Sequence, residues 1–329
     1  MKIAFVSNLL EPTGGDDILL HHISGLRSQG HNITAFFSGI MPQSQEKYPE
    51  ISKTITLYSP ENIDEIDFSP YDLVVTNGLF GLNLLQDRKD INKAHFLQNF
   101  DPWIFGFNEM VGHAYRSLDK ILLYSSHLQN IVEHYYGKKN IIKCNNGINY
   151  KEFSKARKTD FLRRRNSVCF MTAYYRPYKG IKLAEEVFQI LKGKGIVTIE
   201  ICSVNGPLQN TMEFYKNPSF NRKCEIINSS PIMLHPSIFE TWNLVSMEAM
   251  SLGTLVVGTD SKGITEYANK DNSIIVNHRN PDTISDIILS VLNNRHQYLD
   301  IVEKGIETAQ KHDWDTIMPE IEQCYRKLL

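Results

Sequence analysis

Short apolar runs alternate with helical patterns along nearly the whole of this 329-residue chain, and the alternation starts twice. The first series opens with the run Lys2–Ser7, a loop holding Pro12, Gly14 and Gly15, and a helical stretch whose apolar side is Ile18, Leu19, His22, Ile23 and Leu26. Strand-like runs follow at Asn32–Phe37, Thr54–Tyr58, Asp72–Thr76, Ala94–Leu97, Lys120–Tyr124 and Ile141–Cys144. After Asn166 the pattern restarts with Ser167–Thr172, Ile196–Cys202, Ile232–His235, Thr254–Gly258 and Ser273–Val276, and it ends in helices. Strands separated by helices cannot pair as hairpins. They form parallel sheets with a helical layer on each face. The fold expected is α/β, two Rossmann-like domains with parallel sheets facing across a cleft. Its parts are a first domain over 1–150, a charged linker over 151–166, a second domain over 167–312, and a terminal helix over 313–329 that packs back on the first domain. Residues 205–231 show little pattern beyond a strand-like Lys223–Ile227 and a turn at Asn217, Pro218 and Ser219.

Composition narrows the classes. Net charge is −2, from 35 basic and 37 acidic side chains, which gives no global attraction for nucleic acid. Five scattered cysteines lack metal-ligand spacing; three lie in or beside apolar runs, where a thiol acts as a small hydrophobe, and the set reads as a reducing compartment without a disulfide framework. No run approaches the ~20 apolar residues of a membrane span, and the first residues read as a strand, so the expected setting is cytoplasmic. Arg163–Arg165 is read either as a solvated basic stretch or as a contact for anionic headgroups at the inner face of a membrane.

The most informative segment is HPSIFETWNLVSMEAMSLGTLVV, from His235 to Val257. An apolar strand ends at Pro236, a loop carries Glu240, and a helix starts at Asn243, a favoured N-cap type, and stops before Gly253. Glu248 falls among apolar neighbours inside that helix, where a carboxylate requires a partner. The N-terminus of a helix offers free N–H groups to a diphosphate. Two carboxylates therefore flank a potential anion site. The competing reading is a satisfied core carboxylate at Glu248 and a plain surface charge at Glu240.

This string resembles the Glu, seven residues, Glu signature of the family four retaining glycosyltransferases. It is carried by Pro236, Ser237, Glu240, Leu244, Glu248, Ala249, Met250, Gly253 and Val256–Val257, with Asn243 where the family usually has glycine. The resemblance extends to Gly14–Gly15 after the first strand, Gly30–His31, Asn146–Asn149, Gly263 with Glu266 and Tyr267, and Trp314. It implies the two-Rossmann fold called GT-B. It also implies donor contacts at Gly14, Gly15, Trp242, Asn243, Leu244 and Glu248, with Glu248 on ribose hydroxyls and Glu240 on the sugar.

Arg176 and Lys179–Gly180 resemble the family's Arg…Lys-Gly pair, whose cations neutralise a departing diphosphate. The spacing departs, because Tyr174 holds the usual arginine position. The run His95–Phe107 resembles a segment of rhamnosyltransferase-like members and proposes Gln98, Asp101 and Trp103 as acceptor contacts, while its aromatics read equally as packing. Asp313-Trp314-Asp315 has an Asp-x-Asp pattern but stands at a helix start, where aspartate caps, so no metal site is expected. The resemblance implies retaining, metal-independent sugar transfer without a cofactor, from a nucleotide-diphosphate sugar to a saccharide or lipid-linked acceptor in glycan or surface-polysaccharide assembly. A nucleotide-sugar epimerase and a silent subunit of a glycosylation complex are the alternatives. Oligomeric state is not legible.

Overall fold

The structure is a computed structural model that describes residues 1–11, 13–102 and 106–329. It contains two compact units. The first comprises Met1–Gly147 together with Trp314–Leu329, and the second Ile148–Asp313.

The first unit holds a seven-stranded sheet, β1 (Lys2–Leu10), β2 (Asn32–Ile40), β3 (Ile55–Leu57), β4 (Leu73–Asn77), β5 (Lys93–Phe96), β6 (Lys120–Leu123) and β7 (Asn140–Lys143). Their spatial order is β3-β2-β1-β4-β5-β6-β7, and all the pairings are parallel. The chain winds outward in one direction from β1 and in the other from β4. Their boundary is the switch point, where the connecting loops diverge and a crevice opens beyond the strand ends. The helix Gly14–Ser28 starts in the loop after β1. Thr13 caps it by accepting from the Asp16 amide, and the Asp16 carboxylate accepts in return from the Thr13 hydroxyl and the Glu11 amide. Ile18, Leu19, His22, Ile23 and Leu26 are all buried, as their spacing predicts. The helix Trp314–Arg326 lies along this helix, with Tyr325 bonded to His22 at 2.9 Å, Trp314 stacked on His21, and Glu322 paired with His31 at 2.8 Å.

The second unit holds a six-stranded sheet, β8 (Ser167–Thr172), β9 (Val197–Cys202), β10 (Glu213–Lys216), β11 (Ile232–His235), β12 (Leu255–Thr259) and β13 (Ile274–Val276), in the order β10-β9-β8-β11-β12-β13. Every pairing is parallel, so its switch point lies between β8 and β11. Alternate residues Val168 and Phe170, Ile232 and Leu234, and Leu255 and Val257 share one face. They are buried with Val187, Phe188 and Leu191 of the helix Ile181–Gly193 and Ile284, Ile288 and Val291 of the helix Pro281–Asn293.

The structure corrects two expectations. Lys223–Ile227 is not a strand. It lies in the helix Phe220–Ser229, capped by the Ser219 hydroxyl, and the strand of this region is β10. Residues 151–166 are not a free linker, because they belong to the second unit. Phe161 enters its core, and the Arg164 guanidinium is buried, donating to the Leu252 and Ser230 carbonyls and to the Thr254 hydroxyl. The middle of Arg163–Arg165 is thus an internal brace. A basic run carries no periodic sign of burial, since the guanidinium is satisfied by backbone oxygens from distant parts of the chain.

Candidate active site

In the second unit the loops after β8 and β11 converge. The loop after β8 forms a tight turn, Pro177–Lys179, ending at Gly180 with φ 69°. A Cβ on Gly180 would lie 1.9 Å from the Pro236 carbonyl oxygen, so only glycine lets the two loops meet there. The Ile238 amide donates to the Tyr178 carbonyl at 2.7 Å and seals the junction. Gly263 meets the same loop from the other side, where a Cβ would come within 2.3 Å of the Glu240 carbonyl oxygen. Glu240 is further fixed through its amide, which donates to the Ser261 carbonyl.

This frame brings Glu240 and Lys179 together. The Lys179 ammonium donates to both carboxylate oxygens, at 2.8 and 2.9 Å, and the Ser237 hydroxyl donates to Oε1 at 2.8 Å. Burial raises the pKa of Glu240, which is 9% exposed. The facing Lys179 charge, His235 and the two donors more than offset this and hold it below the ordinary glutamate value. His235 is itself pushed down to about 4, by burial above all, and is neutral at pH 7. The operative charge on Glu240 near neutrality is therefore Lys179. Arg176 is not part of this pair. It is exposed, with its guanidinium 5.6 Å from the Tyr174 ring centroid.

Asn243 caps the helix Leu244–Ser251, its side chain accepting from the Ser246 amide at 2.7 Å. Its φ is 79°, in the left-handed region that asparagine tolerates far better than branched residues. The departure from glycine at this position therefore preserves the backbone and adds a cap. The Asn243 carbonyl accepts from the Tyr267 hydroxyl at 2.7 Å. Leu244 is half-buried at the first turn, and Trp242 is buried, with its ring against Tyr267 and His312. Any donor contact at 242–244 thus falls to the backbone rather than to the indole.

Glu248 is half-buried, and its expected partner is Lys223, at 2.9 Å. The Lys223 ammonium also lies over the Phe153 and Phe220 rings, 5.1 and 5.7 Å from their centroids. Lys223 is not legible as that partner in the sequence, where its segment has the look of a strand. The buried Cys224 and Ile227, three apart behind the Ser219 cap, are the helical sign that was available. Arg279 is missed as well. It donates to the Pro236 and Ser237 carbonyls and to the Thr259 hydroxyl.

In the first unit, Gly15 and Gln98 meet at the switch point. The Gln98 amide nitrogen donates to the Gly15 carbonyl at 3.0 Å and to Asn77 Oδ1 at 2.9 Å, at the end of β4. Gly14 is exposed at the start of its helix. Asp101 is buried and accepts from the Tyr115 hydroxyl at 2.9 Å; burial raises its pKa to about 6, against the opposing effect of that bond. Trp103 lies outside the described residues. Asp313 accepts from the Lys151 amide at 3.1 Å. Among the described residues, no group of three or more His, Cys, Asp or Glu is placed to hold a metal ion, and no helix is long and apolar enough to cross a membrane. All five cysteines are free and buried.

Residues 205–308, which include the Glu240–Glu248 segment, match the family model for glycosyl transferases group 1. This region is therefore similar to the group 1 glycosyl transferases. An uncharacterised glycosyltransferase of Methanocaldococcus jannaschii is 24% identical over 225 residues, covering 66% of this chain and 62% of that protein. A second from the same organism is 30% identical over 106 residues, covering 31% of this chain and 27% of that protein. The matches therefore span less than two thirds of either relative. Among solved structures, HepE of Anabaena in complex with UDP superposes with a TM-score of 0.79 at 14% identity, covering 99% of this chain and 100% of that one. Sucrose-phosphate synthase of Thermosynechococcus elongatus gives 0.74 at 13% identity, covering 100% and 99%. These likenesses show the fold, two Rossmann-like α/β domains of the GT-B type. The matched residues lie within the second of them and contain Glu240, Asn243 and Glu248, while Lys179 belongs to the same unit but precedes the match.

Proposed function

We propose that this chain is a retaining glycosyltransferase that moves a sugar from a nucleotide-diphosphate sugar to a saccharide or lipid-linked acceptor, in glycan or surface-polysaccharide assembly. The observation that carries the reading is the Lys179–Glu240 pair at the switch point of the second unit, whose residues 205–308 match the group 1 glycosyl transferases, beside the start of the helix that bears Glu248.

In this reading the Glu248 carboxylate, oriented by Lys223, accepts from ribose hydroxyls. Free backbone N–H groups at the start of the helix Leu244–Ser251 face the diphosphate. Lys179 has protons to share between Glu240 and a phosphate oxygen, so charge growing on the leaving group draws on an ammonium already in place. Arg176, exposed and uncommitted to the pair, adds a second cation. Glu240, held ionised, accepts from sugar hydroxyls and positions the donor. Acceptor attack on the face that the diphosphate leaves, with a phosphate oxygen taking the acceptor's proton, gives retention. These cations and helix N–H groups support a reading in which neither metal nor cofactor is required. Gly15 and Gln98 are proposed as first-unit contacts to donor and acceptor, with Asp101 beside them. HepE has been crystallised with UDP and with UDP-glucose, which makes uridine donors the first to test.

The deciding experiment is a thermal-shift screen with UDP, GDP, TDP and their sugars, because a ligand that binds only the native state raises the apparent melting temperature. Any hit is followed by NMR of the anomeric configuration of the product. A rise with one nucleotide and its sugars, and a product of unchanged configuration, are expected. Inversion would overturn the retaining assignment. Isomerisation of the donor without an acceptor would favour an epimerase, and no response to any nucleotide would leave a non-catalytic subunit.

A further inference from the structure

We propose that Arg279 is a positioning residue, whose guanidinium sets the backbone of Pro236–Ser237 and through it the place of Glu240. The inference rests on the reading of Glu240 and Lys179 as members of the transfer site. Arg279 stands between β13 and the helix Pro281–Asn293, 39 positions beyond Glu240 in the chain. Its Nη1 lies 3.0 Å from the Ser237 carbonyl oxygen and 3.0 Å from Thr259 Oγ1, and its Nη2 donates to the Pro236 carbonyl. Thr259 Oγ1 donates in turn to the Ser237 carbonyl at 2.8 Å. The guanidinium thus ties together the ends of β11 and β12 and the segment after β13.

The two carbonyls belong to buried residues, and both have functional neighbours. The Pro236 oxygen is the atom against which Gly180 packs, directly after Lys179. Ser237 turns its hydroxyl to Glu240 Oε1. The same short backbone therefore accepts the fork on one side and fixes the carboxylate and its lysine on the other. Adjacent carbonyls with a hydroxyl beside them suit a planar fork with several fixed N–H groups, and a lysine ammonium cannot reproduce that set. Without it, buried carbonyl oxygens lose donors, and the loop must shift to recover them.

The test compares Arg279→Met and Arg279→Lys with the wild-type chain by hydrogen exchange and by kinetics with UDP-glucose and the nucleotide sugars of the thermal screen. Exchange at the Ile238 and Glu240 amides, which bond Tyr178 and Ser261, is expected to quicken ~10-fold or more in Arg279→Met and less in Arg279→Lys, with β8 unchanged as the internal control. With a donor that turns over, kcat is expected to fall ~10-fold or more while the donor KM stays within ~3-fold, the signature of an interaction felt in the transition state. Unchanged exchange at 238–240 would overturn the proposal whatever the activity. A raised donor KM with unchanged kcat would overturn it too, by making Arg279 a donor contact. If the methionine variant does not fold, the lysine variant carries the same comparison. A wild-type chain inactive with every donor would sink the transferase reading and leave the exchange measurement to decide the role of Arg279.

Discussion

Lys179 and Glu240, 61 positions apart in the chain, share two hydrogen bonds at the point where the paths of β8 and β11 diverge. Neither loop could place its charged group alone. Removing the ammonium strands a carboxylate that is 9% exposed. Lys179→Ala is expected to cut transfer ~100-fold or more and to lower stability by about 3 kcal/mol, the scale for breaking a buried pair from one side. Adding Glu240→Gln should return most of the stability and none of the activity. Steady-state kinetics and urea unfolding check both, and near-wild-type turnover in Lys179→Ala would remove it from the reacting centre.

Glu248 and Lys223 predict a different kinetic pattern. Glu248→Gln keeps the shape but weakens acceptance from ribose hydroxyls, and transfer should fall by ~100-fold or more, the scale of a lost transition-state contact. Lys223→Met leaves the carboxylate in place but unoriented, so it should raise the donor KM more than it lowers kcat. Equal effects on an assay with a truncated donor lacking the ribose would argue against this assignment.

Asn243 combines a cap with a positive φ, and substitutions separate the two. Asn243→Gly retains the backbone and should lose only a few tenths of a kcal/mol. Asn243→Ala loses the cap and must adopt a left-handed conformation, for a total of about 2 kcal/mol. Chemical denaturation of both variants measures the difference. Equal losses would mean that the cap alone matters.

Stability is expected to fall on mild acidification. Burial above all depresses His22 and His95 to about 3 and His235 to about 4, against 6.5 for the free side chain. Groups depressed in the native state stabilise it above the unfolded value and lose that contribution as pH falls through the native one, here from about 6.5 toward 3. Asp16 and Asp101 act in the opposite sense. Burial raises both to about 6 from 3.8, so they favour the native state at low pH and cease to do so as pH rises through 6. Three larger histidine shifts outweigh two smaller aspartate ones. The melting temperature should therefore drop between pH 6.5 and 4, and His235→Gln should flatten the curve.

The alternation of strands and helices was legible because the central strands are buried on both faces and the helices on one, and burial writes a period into the sequence. Among the described residues, twelve of the thirteen strands fall on the apolar runs of the sequence, the half-exposed β3, β7 and β13 included. β10 does not, because Glu213, Phe214, Tyr215 and Lys216 form a half-exposed sheet edge. In the site, Glu240, Asn243 and Glu248 could be read because they lie on one continuous loop and helix. Arg279, Arg164 and Lys223 could not. Each acts through bonds to residues far away in the chain, and an arginine that braces carbonyls looks in sequence like one that meets water. Gly180 and Gly263 show the same limit, since the close approach that requires them is visible only once β11 is in place.

The second unit begins at Ile148 and ends at Asp313, and these two residues form a parallel bridge, with the Ile148 amide donating to the His312 carbonyl at 2.9 Å. Entry and exit are therefore neighbours, and the 166 residues from Ile148 to Asp313 form a closed cassette. A segment whose ends already touch can be exchanged for a homologous one without stretching its host. Whatever specificity the cassette carries is then a module that recombination can replace in a single crossover pair, leaving the rest of the chain unchanged.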